Sequence, residues 1–300
     1  EHVKAITKNP HLHVAAICSR REESAQALAD EHANGASVCS TYEEMLDLPG
    51  VDVVSICMPN YLHAREAIAA LDADKHLILE KPPAITYEEL AELRAAARRS
   101  TRRTVVSFVL RWHPMIQEIR TAIEADTIGE IYYAEADYWH GIKKTFASYP
   151  WIRQKEFAGG AMITGGCHAA DIVRHLTGKE ATEVFAYRTR AREDFDYPTT
   201  LVAAVRYNDD RVGKLSASLD GLYYPYQFNL DLLGTKGAIR DNRISAPFME
   251  PPTAGFQELT PETPNSGTVA HHPFQQEIDD LADGIVNGTP ITCELLDACN

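Results

Sequence analysis

Lys81, within Glu80-Lys81-Pro82, and His168, followed by Asp171, are the side chains of this 300-residue chain whose types and settings could carry charge or move protons. Lys81 closes a short apolar run, His76-Leu77-Ile78-Leu79, just before a helix that Thr86 opens. A lysine at the carboxyl end of a parallel strand points into the crevice where doubly wound sheets bind ligands. There its ammonium can stabilise negative charge developing on an oxygen; the plainer alternative is a surface turn before a helix. His168 opens a second predicted helix, with Asp171 and His175 at i+3 and i+7 on the same side. An imidazole titrating near pH ~6.5 can accept a proton and return it, and Asp171 can fix its tautomer. The alternative is a core or cap histidine. Thr164 stands one helical turn before His168; its hydroxyl can hydrogen-bond but cannot act as a base near neutrality.

The elements that must position these residues change character near residue 110. Before it, Leu12 to Cys18, Val51 to Cys57, His76 to Leu79 and Thr104 to Val109 are short β-branched runs without polar alternation, as in strands buried on both faces of a parallel sheet. Helical stretches lie between them: Glu22 to Ala33, Tyr61 to Ala73, and Tyr87 to Arg99, the last opened by the capping box Thr86-x-x-Glu89. Alternating βα units predict a Rossmann-type, doubly wound α/β domain over residues 1–109. Residues 110–300 read as a second, α+β domain, an open and mainly antiparallel sheet with helices on one face. Its strands run from Ile131 to His140, Thr182 to Arg192, Thr199 to Tyr207, Arg211 to Gly221, Tyr226 to Leu233 and Ala238 to Arg243, and its helices lie at Pro114 to Ala125, Gly166 to Leu176 and Phe274 to Val286. Ala246 to Pro264, rich in proline and threonine, reads as a long loop. A dinucleotide fold opens with a strand and a Gly-rich turn, whereas residues 1–9 already resemble the helix after that turn. The expectation is therefore a chain that lacks the first strand and the phosphate loop.

The net charge of −14 repels nucleic acid and anionic membrane surfaces. No apolar run is long enough to span a bilayer. The six cysteines are scattered, without a C-x-x-C pair, which fits a reducing cytoplasm and offers no zinc framework. The open face of an antiparallel sheet suggests a homodimer or homotetramer.

Taken in order, Met58-Pro59-Asn60 with His63, Glu80-Lys81-Pro82, Arg111-Trp112-His113-Pro114, and Gly159-Gly160 leading to His168-x-x-Asp171 make the chain resemble the Gfo/Idh/MocA family over nearly its whole length. That resemblance implies NAD(P)-dependent oxidation or reduction of a carbon bearing a hydroxyl or ketone, usually on a sugar or cyclitol. It assigns the charge-stabilising role to Lys81, with contact to the nicotinamide ribose, and a cis peptide before Pro82. His168 becomes the proton carrier. Met58, Pro59 and Asn60, with His63, pass beside the nicotinamide half, and Arg111 supports the cofactor side. Many members carry Asp where this chain has Thr164. At the end of the second Rossmann strand NAD enzymes place an acidic residue, whereas arginine suits the 2′-phosphate of NADP. Ser19 holds that position here, followed by Arg20 and Arg21, so NADP is expected over NAD. Tyr149, Trp151 and Arg153 suit stacking on a sugar and binding its oxygens, and Tyr138, His140 and Tyr223-Tyr224-x-Tyr226 could line the same cleft. Aromatic residues so placed can equally be core. Two other functions fit the same residues. One is a glycoside hydrolase that returns its dinucleotide unchanged, and the other a sugar- or cofactor-sensing regulator without turnover.

Overall fold

The structure, a computed structural model, describes residues 1–220, 226–246, 255–260, 263–264 and 272–300. Its two compact units are Glu1–Val109 with Pro273–Asn300, and Leu110–His272. The first unit alternates α1 (His2–Lys8), β1 (Ala16–Cys18), α2 (Glu22–His32), β2 (Ser37–Cys39), α3 (Tyr42–Asp47), β3 (Val53–Ile56), α4 (His63–Asp72), β4 (His76–Leu79), α5 (Tyr87–Arg99) and β5 (Thr104–Val106). All its strand pairings are parallel, β1 with β2 in one sheet and β3-β4-β5 in another. Leu77, Ile78, Leu79, Val105 and Val106 are wholly buried, and so the β4 and β5 runs carry no polar alternation. The Thr86 capping box forms as its spacing requires. Strand β2 was not foreseen, because Ser37-Val38-Cys39 is too short to stand out as an apolar run. A cavity of about 340 Å³ is lined by Ile17 and Cys18 of β1 and by Val53, Val54 and Ser55 of β3.

The second unit carries α6 (Pro114–Glu124), β6 (Ile131–Trp139), α7 (Tyr149–Ile152), α8 (Lys155–Ala158), a π-helical turn (Met162–Gly166), α9 (Cys167–Thr177), β7 (Ala181–Thr189), β8 (Thr200–Tyr207), β9 (Val212–Ser218), β10 (Gln227–Gly234), β11 (Ala238–Arg240), β12 (Arg243–Ser245) and β13 (Gln257–Glu258). These form one eight-stranded sheet in the order β13-β12-β11-β10-β6-β9-β8-β7. Strand β6 pairs parallel with β9, and the remaining pairs are antiparallel. Met115, Ile116 and Ile119 of α6 and Ala169, Ile172 and Val173 of α9 share one core with Ala134, Ala136, Leu230 and Leu232 of the sheet. The run Ala238 to Arg243, expected as one strand, is broken by Asp241 at φ 51°. Its carboxylate accepts the Leu230 amide at 3.0 Å, one of the few side chains that stabilise a left-handed turn. Most of the loop expected over Ala246 to Pro264, and Tyr223, Tyr224 and His271, lie outside the described residues.

The expected second domain does not extend to residue 300. Helices α10 (Phe274–Asn287) and α11 (Leu295–Ala298) belong to the first unit. Phe274, Ile278 and Leu281 form an apolar stripe on α10 that is buried there, the Val106 amide donates to the Cys293 carbonyl at 2.9 Å, and the Leu295 amide to Thr104 Oγ1 at 3.0 Å. Helical periodicity shows that α10 has a buried face, but not which unit buries it. Among the described residues no helix is long and apolar enough to cross a membrane.

Candidate active site

In the first unit, three candidate segments follow the carboxyl ends of parallel strands. Ser19 is half-buried and Arg20 and Arg21 are exposed, between β1 and α2. Met58 and Pro59 are half-buried and Asn60 is buried, after β3. Glu80, Lys81 and Pro82 follow β4, where the Glu80 amide donates to the Ile56 carbonyl at 3.0 Å and prolongs the β3–β4 pairing. The Lys81-Pro82 peptide is cis.

His63 ties the last two segments together. It is buried at 1% exposure, with Nδ1 2.7 Å from the Pro82 carbonyl and Nε2 2.7 Å from the Met58 carbonyl. Burial draws its pKa below the ordinary histidine value, against the two backbone contacts. A side chain offered as a cofactor neighbour thus works as a clamp between the turns after β3 and β4. Glu80 is held on both oxygens: Oε2 accepts the Lys81 amide at 3.1 Å and Oε1 lies 3.4 Å from His2 Nε2. Burial acts to raise the Glu80 pKa, but the contact with His2 and the charges of Lys81 and His63 outweigh it and bring it below the usual value.

In the second unit, His168 stands on the first turn of α9, directly after the π-helical turn. Such a wide turn is frequent at functional sites. Its approach to the sheet is set by glycine: a Cβ on Gly165 would meet the Tyr138 ring at 2.9 Å, and one on Gly166 would meet the Ala217 Cβ at 2.7 Å. His168 is 4% exposed and stacks on Tyr138 with ring centroids 5.2 Å apart. Tyr138 in turn meets Tyr226 at 5.4 Å, and Tyr226 meets His140 at 5.5 Å. The Tyr138, His140 and Tyr226 named from sequence are therefore brought to His168, and burial drives the Tyr226 pKa well above that of a free phenol.

Other candidates are engaged differently from what their types suggested. The Asp171 carboxylate meets the Arg111 guanidinium in a forked pair, Nε to Oδ2 at 3.0 Å and Nη2 to Oδ1 at 2.6 Å. Arg111, at 1% exposure, is paired with Asp171 within the second unit. Thr164 is buried, and its hydroxyl donates to the Ala158 carbonyl at 2.7 Å. Tyr149 donates to Asp194 at 2.6 Å, which Arg192 also grips at 2.7 Å, so the Asp194 pKa falls well below the carboxylate range. Tyr149 and Trp151 also pack against a small core of Ile142, Ile152, Phe195 and Tyr197, while the exposed Arg153 lies 6.0 Å from the Tyr149 ring. Core packing thus accounts for part of this aromatic group.

Sequence reasoning missed His2, Ser107 and Glu277. Glu277 is wholly buried and accepts Ser107 Oγ at 2.6 Å. The available signal was a carboxylate inside the apolar stripe of Phe274, Ile278 and Leu281.

Comparison with known proteins places both units. Residues 1–108 match the sequence model of an oxidoreductase family with an NAD-binding Rossmann fold, and residues 116–240 match the GFO/IDH/MocA C-terminal domain. The uncharacterised oxidoreductase YrbE of Bacillus subtilis is 27% identical over 85% of this chain and 74% of its own. D-glucoside 3-dehydrogenase of Escherichia coli is 32% identical over 57% of this chain, and the match spans 48% of that protein. Levoglucosan dehydrogenase, solved with NADH and levoglucosan, superposes with a TM-score of 0.84 at 23% identity, over 99% of this chain and 89% of its own, a likeness of fold. With its Rossmann unit and its C-terminal sheet both matched, the chain belongs to the Gfo/Idh/MocA family of NAD-binding oxidoreductases.

Proposed function

We propose that this protein exchanges a hydride between NADP and a hydroxyl- or keto-bearing carbon of a sugar, cyclitol or related polyol. The observation that carries this reading is Lys81, set at the carboxyl end of strand β4, whose Leu77, Ile78 and Leu79 are wholly buried. When bound, the dinucleotide supplies the hydride chemistry. The residues present suit such a group, because the segments after β1, β3 and β4 lie at the end of parallel strands where dinucleotides bind. In this reading Ser19, Arg20 and Arg21 receive the adenosine ribose and its 2′-phosphate, and Met58, Pro59 and Asn60 border the nicotinamide. Lys81 steadies charge on the substrate oxygen, and His168 takes up or returns the hydroxyl proton. The ring cluster of Tyr138, His140 and Tyr226 beside His168 supports a substrate with an apolar face as well as hydroxyls, as a sugar ring has. Relatives named as glucoside and levoglucosan dehydrogenases support the same substrate class. Tyr149, Trp151, Arg153 and Thr164 are proposed at its periphery.

The cofactor is tested by fluorescence titration with NADPH and NADH. Arg20→Ala is expected to weaken NADPH binding about tenfold, as loss of one charge-assisted phosphate contact does, and to leave NADH binding unchanged. Equal loss for both dinucleotides would sink the NADP assignment. Turnover with levoglucosan, followed by NADPH absorbance, then separates net oxidation from a hydrolase that returns its dinucleotide unchanged.

We propose further that the protein acts in the cytoplasm as a homo-oligomer. The free cysteines support a reducing compartment. The sheet face opposite α6 and α9 exposes Phe185, Tyr187, Val202 and Val212, which fall on one face by the β7–β8–β9 register. Such a patch favours a second copy. Phe185→Asp is expected to convert the oligomer to monomer in sedimentation velocity; an unchanged sedimentation coefficient would exclude this face.

A further inference from the structure

In the sheet of the second unit, Tyr138 of β6 stands between two register partners, Ala217 of β9 and Phe228 of β10. Cross-strand partners share a face, so the small alanine leaves a notch beside the phenol ring. The π-helical turn enters that notch through two glycines. A Cβ on Gly166 would meet the Ala217 Cβ, and one on Gly165 would meet Tyr138 Cε1 at 2.9 Å and Cδ1 at 3.0 Å. The turn therefore comes down onto the sheet and delivers His168, two residues later, to the face of the Tyr138 ring. The two planes are 25° apart with centroids at 5.2 Å, a favoured stacked geometry. Tyr226 and His140 meet the same ring edge-on, at interplanar angles of 76° and 70°. Enclosed in this way and 6% exposed, Tyr138 presents almost no surface to a ligand.

We propose that Tyr138 is a positioning residue for His168: its ring sets the plane of the imidazole, and Gly165 sets how closely the two rings approach. The proposal rests on the role of proton carrier assigned to His168 above. An imidazole that takes up a hydroxyl proton must aim one nitrogen at that hydroxyl, and a misplacement of about 1 Å at a reacting group costs about a hundredfold. The role needs the Tyr138 ring and not its hydroxyl. It also divides the ring cluster by task. Tyr138 holds His168, and the half-buried His140 and Tyr226 are left to meet the substrate.

Five proteins carry the test: wild type, Tyr138→Leu, Tyr138→Phe, Gly165→Ala and His168→Ala. They are compared by proton NMR of the His168 ring, assigned from its loss in His168→Ala, and by turnover of levoglucosan with NADP. Protons held over an aromatic face resonate upfield. Tyr138→Leu is expected to move the His168 resonances downfield, toward those of a free imidazole, and to lower kcat about ten- to a hundredfold. KM should stay within about twofold, because the contact orients a reacting group rather than binding substrate. Tyr138→Phe keeps the ring and should restore both readouts. In Gly165→Ala the added methyl displaces the phenol ring, so its resonances and kcat should follow those of Tyr138→Leu; this variant carries the test if Tyr138→Leu does not fold.

Unmoved His168 resonances in Tyr138→Leu overturn the stack, whatever the activity. Moved resonances with an unchanged kcat, or a loss confined to KM, overturn the positioning role. So does a Tyr138→Phe that loses as much kcat as Tyr138→Leu, since the hydroxyl would then be the acting group. A wild type without turnover, or a His168→Ala as active as wild type, removes the proton carrier and the positioning role with it, while the resonances still decide whether Tyr138 orients the ring.

Discussion

Replacing Arg111 by leucine is expected to destabilise the second unit by about 3–5 kcal/mol, the cost of leaving one member of a buried ion pair alone. The pair is Arg111 with Asp171, at side-chain exposures of 1% and 7%, joined through two guanidinium nitrogens. With its side chain only 7% exposed, the Asp171 carboxylate regains little from solvent once the guanidinium is gone. Because Asp171 is one turn beyond His168 on α9, the same change should also loosen the turn that carries the proposed proton carrier. Urea unfolding gives the size of the effect. A double replacement, Arg111→Met with Asp171→Leu, should recover most of the loss, since it removes both charges and keeps the volume filled. A single-variant loss under about 1 kcal/mol would place the pair among solvated ion pairs, contrary to its burial.

Lys81→Met is expected to lower kcat by about a hundred- to ten-thousand-fold, the range for removing a group that handles charge or a proton at the reacting atom. Methionine keeps the unbranched stem and discards the ammonium, and Lys81 is only half-buried, so the thermal midpoint should hardly change. The useful comparison is the split between KM and kcat. An interaction made only as charge develops lowers kcat and leaves substrate binding intact, whereas a ground-state contact raises KM. Lys81→Arg tests geometry, because the planar guanidinium keeps the charge but cannot place it at the same point. A loss of less than tenfold in Lys81→Met would remove Lys81 from the reaction and leave it a surface turn beside β4.

Much of the fold was legible because the signals are local. Strands β4 and β5 are buried on both faces and read, like β3, as apolar runs, the Thr86 capping box marks the start of α5 unaided, and α6 and α9 announce their buried faces through residue spacing. The same holds for the order of Met58-Pro59-Asn60, Glu80-Lys81-Pro82 and His168-x-x-Asp171, which marks the family before any coordinate is known. Pairings between distant residues were not legible. Asp171 and Arg111 are 60 positions apart, Glu277 and Ser107 are 170 apart, and His2 and Ser55 are 53 apart. A buried polar side chain takes whichever partner the packed chain brings to it, and the energy of that choice exists only once water is excluded. The return of α10 and α11 to the first unit follows the same logic, since an apolar stripe states that a helix is covered but not by what. The sequence by itself therefore determined the alternating βα pattern of the first unit and most strands of the second, the family and the identity of Lys81 and His168 as chemical candidates. Only the tertiary structure decided that Arg111 pairs with Asp171, that His63 clamps two turns, and that Ser107 meets Glu277, because each depends on which groups share a space from which water is shut out.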